Sequence, residues 1–310
     1  MPLPDLLTDH ADDAVRPTRL SLEDVDDRLV EILSTLHAHR DALPDLSNLE
    51  IVLEDPDVVL TVDPTTLADV FTHAGHIELS GYPSFDAQFA ALSEQGAFTG
   101  VIGLTVPGSQ LTDDAVEAFL DAGPYPRLTH LSFVANKLRR RTGELLGGTD
   151  ALPSLTHLRL TKNPLGGPGV KALVTGPGVQ GLTWLDLAST KPGKAGLTAV
   201  LCGNVLPELT ELDLGYTPAK PADWAKILGA ARHPKLRVLN LGAGLDPGYE
   251  LEADPFVTAE LPALEELDIH GLTTREIALQ IAAGVPHLPS LSAVTLSTPD
   301  VQVETLTVPR

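Results

Sequence analysis

The side chains best suited to chemistry in this 310-residue sequence are polar residues that recur at a nearly fixed interval, with two aromatics beside them. Asp186, Asp213 and Asn240 lie 27 residues apart, and Asp268 follows 28 residues later. Glu211 and Glu266 stand two positions before Asp213 and Asp268, and Trp184 and Tyr216 flank the set. Carboxylates gathered beside two large aromatics are the composition of a patch that grips a basic protein surface. His130 and His157 share the same 27-residue spacing. Val101 and Trp184 hold the flanking positions, so no third metal ligand follows, and two solvated or partner-contacting histidines are expected. Cys202 is the sole cysteine, which excludes an internal disulfide and a cysteine-based zinc site. With no paired histidine it reads as a small buried hydrophobe. The run Lys137-Leu-Arg139-Arg-Arg141 reads as a solvated loop. Gly147-Gly148 and Leu165-Gly-Gly-Pro-Gly169 lack the Lys-Ser/Thr of a phosphate loop and read as turns. No metalloprotease motif, nucleophile elbow or kinase signature is present, so neither enzymatic activity nor a cofactor is expected.

The elements that would position these residues follow from one repeated phrase. Leu155-Thr-His-Leu-Arg-Leu-Thr-Lys-Asn163-Pro-Leu165 reads L-x-x-L-x-L-x-x-N-x-L, and copies begin at Leu128, Leu182, Leu209, Leu236 and Leu264. Its second apolar residue gives anchors at Leu131, Leu158, Leu185, Leu212 and Leu239, each 27 after the last. Earlier copies place anchors at Leu49, Ile77 and Ile102, and later ones at Leu267 and Val294, so ten strands are implied. Pro at 44, 126, 153, 207, 234, 262 and 289 precedes the motif's first Leu by two positions and marks the helix-to-strand corner. Between the early strands, helices are expected around residues 65–73, 84–93 and 113–122. Val170/Leu173/Val174, Leu197/Val200/Leu201 and Trp224/Ile227/Leu228 repeat a helical apolar face every 27 residues.

A fixed period of this kind signals a solenoid, and the consensus resembles the leucine-rich repeat, of the ribonuclease-inhibitor-like subtype. That resemblance implies an α/β solenoid, a curved horseshoe with about ten parallel strands on its concave face and helices on its convex face. The sequence departs from the subtype in its 27-residue period and at the Asn position. Asn136 and Asn163 keep it, Thr190 and Thr217 substitute, and Pro107, Gly244 and Leu272 abandon it. The expected organisation is an acidic disordered tail over 1–20, an N-terminal helical cap over 21–45 opened by Ser21, repeats over 46–298 and a C-terminal cap segment over 299–310.

In such a fold the motif Leu residues face the core and the residues beside each anchor face the concavity. The column before the anchors then reads Asn48, His76, Val101, His130, His157, Trp184, Glu211, Val238, Glu266 and Ala293. The column after them reads Glu50, Glu78, Gly103, Ser132, Arg159, Asp186, Asp213, Asn240, Asp268 and Thr295. The candidate protein-binding residues are therefore Trp184, Asp186, Glu211, Asp213, Tyr216, Asn240, Glu266 and Asp268.

Composition narrows the partner. A net charge of -21 disfavours nucleic acid and anionic membranes, which need Lys and Arg clusters, and favours a basic protein. No secretory leader or 18-residue apolar run is present, so a cytoplasmic location is expected. Richness in Ala, Pro, Gly, Asp and Arg with little Lys suits a GC-rich bacterial genome. The leading expectation is a non-enzymatic interaction module binding a basic protein through the concave face, of which an inhibitor is one form. The alternatives are a regulator of an enzyme, such as a GTPase-activating protein, and a structural assembly component.

Overall fold

The computed structural model describes residues 2–10, 12, 18–217, 219, 221–242, 256, 258–269, 279–281, 288–296 and 304–308. They form two compact units: residues 1–138 with 149–155, and residues 139–148 with 156–310. In the first unit β1 (Arg19–Leu22), β2 (Asn48–Leu53), β3 (His76–Gly81), β4 (Gly103–Thr105) and β5 (His130–Ser132) pair in parallel in chain order. In the second, β6 (His157–Arg159), β7 (Trp184–Asp186), β8 (Glu211–Asp213), β9 (Val238–Asn240), β10 (Glu266–Asp268) and β11 (Ala293–Leu296) do the same. The final strand, β12 (Glu304–Thr307), runs antiparallel to β11.

The strand register corrects the third anchor. His76 pairs with Gly103, Ile77 with Leu104 and Glu78 with Thr105, so the anchor is Leu104 and not Ile102. Val101, Leu104 and Val106 are the apolar residues of the motif that are buried, and Ile102 is not among them. The columns beside this anchor are consequently Gly103 and Thr105, not Val101 and Gly103. With Leu104 in place the 27-residue spacing runs unbroken from Ile77 to Leu239. Thr99-Gly-Val-Ile-Gly-Leu104 fits the apolar motif in two frames, and only strand pairing separates them.

The chain also starts differently from the expectation of a disordered tail and a helical cap. Helix α1 (Leu3–His10) buries Leu6 and Leu7, and β1 adds an eleventh parallel strand whose Leu20 pairs with Leu49. Ser21 caps no helix: it lies in β1, and its hydroxyl donates to Glu50 at 2.9 Å. Helix α2 (Leu29–His39) instead follows a 3-10 turn over Asp26–Arg28. The alternation of Arg19-Leu-Ser-Leu22, with both Leu side chains buried, is the period of a half-buried strand.

Helices α3 (Pro64–Ala74), α4 (Asp86–Glu94) and α5 (Asp113–Asp121) lie where apolar spacing places them. Asp63 caps α3 by accepting from the Thr66 amide at 2.9 Å, with Pro64 in the first helical position. Helices α6 (Arg140–Gly148), α7 (Gly166–Thr175), α8 (Gly193–Cys202) and α9 (Pro221–Gly229) follow. The corner prolines have a definite role. The Leu155 amide bonds to the Leu152 carbonyl, and the same turn closes at Leu46, Leu128, Leu209, Leu236, Leu264 and Leu291. Each Pro therefore occupies the second position of a β-turn, where its fixed φ is already correct.

The two units pack by different means. Unit 1 fills its core with Phe71, Phe89, Phe98, Phe119, Tyr125 and Phe133, and Phe89 meets three other rings with centroids 5.4–5.7 Å away. Unit 2 brings α6 and α7 together through glycines. A Cβ on Gly143 would lie 2.2 Å from the Gly169 carbonyl oxygen, and one on Gly147 would lie 2.5 Å from that of Ala172. Leu, Val and Ile fill the remaining layers, with Val170, Leu173, Val174, Leu197, Val200 and Leu201 all buried.

Candidate functional site

In unit 2 the column after the anchors is a hydrogen-bonded ladder. Asp186 Oδ1 accepts from the Ala188 amide at 2.9 Å, Asp213 Oδ1 from Gly215 at 2.7 Å, and Asn240 Oδ1 from Gly242 at 2.8 Å. The second oxygen or nitrogen of each side chain reaches a neighbouring strand. Asp186 Oδ2 accepts from the Thr161 hydroxyl at 2.6 Å and from Arg159 Nε at 3.0 Å, while Asn240 Nδ2 donates to Asp213 Oδ2 at 2.9 Å. These contacts turn the chain at the end of each strand and tie adjacent repeats together.

That ladder corrects the role expected of Asp186. Only 3% of it is exposed, and its carboxylate is engaged by three donors, so it serves the fold. Asp213 is half-buried. Burial pushes its carboxyl up, an effect reinforced by Asp186 and Asp268 and opposed by the bonds from Gly215 and Asn240. Asn240 and Asp268 are also half-buried. The residues left to meet a partner are those of the other column and the turn beyond the strand. Trp184, Glu211, Val238 and Glu266 are in register across β7 to β10, and Glu211 and Glu266 are exposed. Among the described residues neither glutamate forms an ion pair, and the nearby Arg237 is held by Glu265 at 2.7 Å. The Trp184 ring stacks on His157 with centroids 6.2 Å apart.

Tyr216 is placed outward by its backbone. Its φ is +53°, and Ala135, Lys162 and Ser189 take the same left-handed conformation at φ +56°, +59° and +59°. These four positions are 27 residues apart, and Gly108 at φ +59° precedes them by the same interval. Left-handed geometry is unfavourable for a bulky residue, yet here it leaves the Tyr216 side chain 60% exposed.

Unit 1 carries a second, unexpected constellation on its sheet face. Arg19, Asn48, Glu50, His76, Glu78, Gly103, Thr105 and His130 line a cavity of about 400 Å³. Gly103 stands in register between His76 and His130, and the His76 ring leans over it to meet His130 edge-on at 5.8 Å. In unit 2 the corresponding stack is that of His157 on Trp184. Arg19 bonds to Glu50. Burial works against the charge on Glu50, but bonds from Arg19 and Ser21 hold its carboxyl below the usual range. Glu78 goes the other way, raised by burial and then by repulsion from Glu50. No described group of three or more His, Cys, Asp or Glu side chains is arranged to hold a metal ion.

The other marked residues have structural places. Asn136 donates to the Val106 carbonyl at 2.7 Å and accepts from the Leu111 amide at 2.9 Å, while Asn163 donates to Leu160 at 3.0 Å. Thr190 donates to Leu187 at 2.6 Å from the equivalent place. The corrected register gives Ser109, not Pro107, that position. Ser109 is fully buried and donates to the Pro107 carbonyl at 2.8 Å. Gly244 and Leu272 lie outside the described residues. Cys202 ends α8 with its thiol donating to the Ile227 carbonyl at 3.4 Å, and burial pushes that thiol up. Arg140 opens α6 and pairs with Glu144 at 2.7 Å, so this part of the basic run is helical and not loop. No described helix is long and apolar enough to cross a membrane.

A family model and one solved structure bear on the architecture. A family model described as a leucine-rich repeat matches residues 151–174. No curated protein sequence matches the chain. Among solved structures, the leucine-rich repeat-containing protein LegL7 from Legionella pneumophila is similar at 16% identity and a TM-score of 0.58, with 92% of each chain covered. An internalin (inlF) from Listeria monocytogenes is similar at 15% identity over 90% of this chain and 74% of its own, with a TM-score of 0.44. A TLR13-ssRNA13 complex matches at 19% identity and a TM-score of 0.45 over 83% of this chain, which spans 33% of that one.

Proposed function

We propose that this chain, a leucine-rich-repeat solenoid by repeat, register and fold, is a non-enzymatic protein–protein interaction module for a basic partner. The observation that carries the reading is the row of unit 2 in which half-buried Trp184 and Val238 alternate with exposed Glu211 and Glu266. Trp184 and Tyr216 offer aromatic surface, and Glu211 and Glu266 offer carboxylates that no described side chain neutralises by an ion pair. Aromatics supply contact area at low entropic cost, and the charges steer a basic surface toward them. The general use of repeat solenoids as interaction surfaces supports the same reading.

Asp186 is omitted from the contact set because its carboxylate is already used. Reversing Glu211 and Glu266 together to Lys is expected to weaken capture of the partner at least tenfold while stability changes by under about 0.5 kcal/mol, as for ordinary surface substitutions. Affinity capture at low and high salt with both proteins checks this. Retention of the same partner by the double variant, or capture that ignores salt, would overturn the reading.

A further inference from the structure

We propose that the cavity on the sheet face of unit 1 binds a guanidinium group, taken up between the Glu78 carboxylate and the rings of His76 and His130. This site is independent of the surface assigned to unit 2. Its shape comes from one absent side chain. Gly103 sits between His76 and His130 in the row of paired strands, and a Cβ there would come within 2.3 Å of His76 Cδ2. The glycine lets the imidazole fold across the sheet toward His130 and leaves about 400 Å³ beside it, within the range of sites for small ligands.

The charges decide what would enter. Arg19 is committed to Glu50, and Ser21 also donates to that carboxylate. Glu78 lies opposite Glu50 on the next strand and makes no hydrogen bond or ion pair among the described residues. It is thus a half-buried acceptor without a hydrogen-bond donor, in a cavity whose arginine bonds to Glu50 and attracts Glu78 only through space. An anion entering here would meet Glu50 and Glu78. A divalent metal would find no described three-ligand set. A guanidinium matches on two counts: its planar fork delivers paired donors to one carboxylate, and its face stacks on a ring. A lysine ammonium would satisfy Glu78 as a point charge without the stacking.

The test uses the full chain with Nα-acetyl-arginine N-methylamide as probe, followed through the His76 and His130 ring signals by NMR and through heat by calorimetry. The lysine and citrulline analogues serve as comparisons. Saturable binding that shifts both rings, is weaker for lysine and vanishes for neutral citrulline is expected. Glu78→Gln should weaken binding roughly tenfold or more, the usual loss for a charge-assisted pair. Gly103→Ala should displace His76 and abolish binding, whereas Glu94→Gln, at the exposed end of α4, should bind as the natural chain does. If Gly103→Ala fails to fold, Glu78→Gln still decides the matter, because it relieves repulsion with Glu50. An arginine-bearing peptide that binds more tightly than the single amide would make a protein the source of the group; equal affinity would make the source a small molecule. No saturable binding in the millimolar range, equal binding of citrulline, or an unaffected Glu78→Gln variant would overturn the proposal.

Discussion

Units 1 and 2 solve the same packing problem with different residues. Six of the seven phenylalanines lie in unit 1, and five of them form a connected cluster with Tyr125. Large rings fill layers of uneven depth, which suits a region where anchor spacings run 29, 28 and 27 residues from Leu20 through Leu49 and Ile77 to Leu104. Unit 2 keeps 27 residues for most of its length and builds thin layers from Leu, Val and Gly. Backbone-to-backbone approach between α6 and α7 replaces bulky side chains there. The lesson concerns tolerance: unit 1 depends on volume, and unit 2 depends on the lack of it.

The largest test of that contrast is Phe89→Ala. Phe89 touches Phe98, Phe119 and Phe133, so its removal opens a cavity that three rigid rings cannot close. Loss of about 3–5 kcal/mol is expected in chemical denaturation, with amide exchange accelerating first in unit 1. A loss under about 1 kcal/mol would show that the cluster relaxes and that volume is not what holds unit 1.

Next in size is Asp186→Ala in unit 2. It leaves the Thr161 hydroxyl and Ala188 amide without their acceptor and frees Arg159 from its partner. Destabilisation by about 2–4 kcal/mol is expected from stranded buried polar groups. The same substitution at exposed Glu211 should change stability by less than about 0.5 kcal/mol. Equal effects at the two sites would return Asp186 to the partner-facing surface. Gly147→Ala is a smaller perturbation of the same unit. Its methyl meets the Ala172 carbonyl, which cannot rotate away, so about 1–3 kcal/mol is expected from overpacking. Gly103→Ala in unit 1 meets only a mobile imidazole and should cost less, as paired thermal melts would show.

Much of this was readable in the residues. Leu positions at a 27-residue interval carried the strands, the helical faces and the corner prolines, because burial and turn geometry impose their period directly. The third anchor was ambiguous because Ile102 and Leu104 are both apolar, although counting back 27 from Leu131 points to Leu104. The ladder left a fainter trace: Asp186, Asp213 and Asn240 are each followed two positions later by Ala or Gly. A small residue there suits a turn in which the side chain accepts the second amide onward. Alternation alone puts such carboxylates on the solvent side of the strand. It does not reveal that Arg159, one repeat earlier, lies close enough to neutralise Asp186. The unit 1 cavity is less legible still, since it depends on the direction a ring takes over a glycine.

The two units should also respond differently to acid, and His233 provides the sharpest reading of unit 2. It is 1% exposed, donates to the Val200 carbonyl, and burial lowers its pKa below the usual imidazole value. A lowered value means the unfolded chain takes up the proton first. The stability His233 contributes is therefore complete above about pH 6.5, the unfolded value, and declines as pH falls toward its folded value. The raised carboxyl of Glu78 in unit 1 has the opposite sign, because its charged form is the one penalised and acid relieves that penalty. Asp213 pulls unit 2 the same way as Glu78, so the comparison must be made against His233→Gln and not between whole units. Between pH 7 and about pH 5 the natural chain should lose stability relative to that variant, with the loss concentrated in amide exchange of α8 and the Leu236 turn. Parallel pH profiles for the two proteins would mean that His233 stays hydrated enough to titrate freely, and that unit 2 is less tightly closed at this corner than its burial implies.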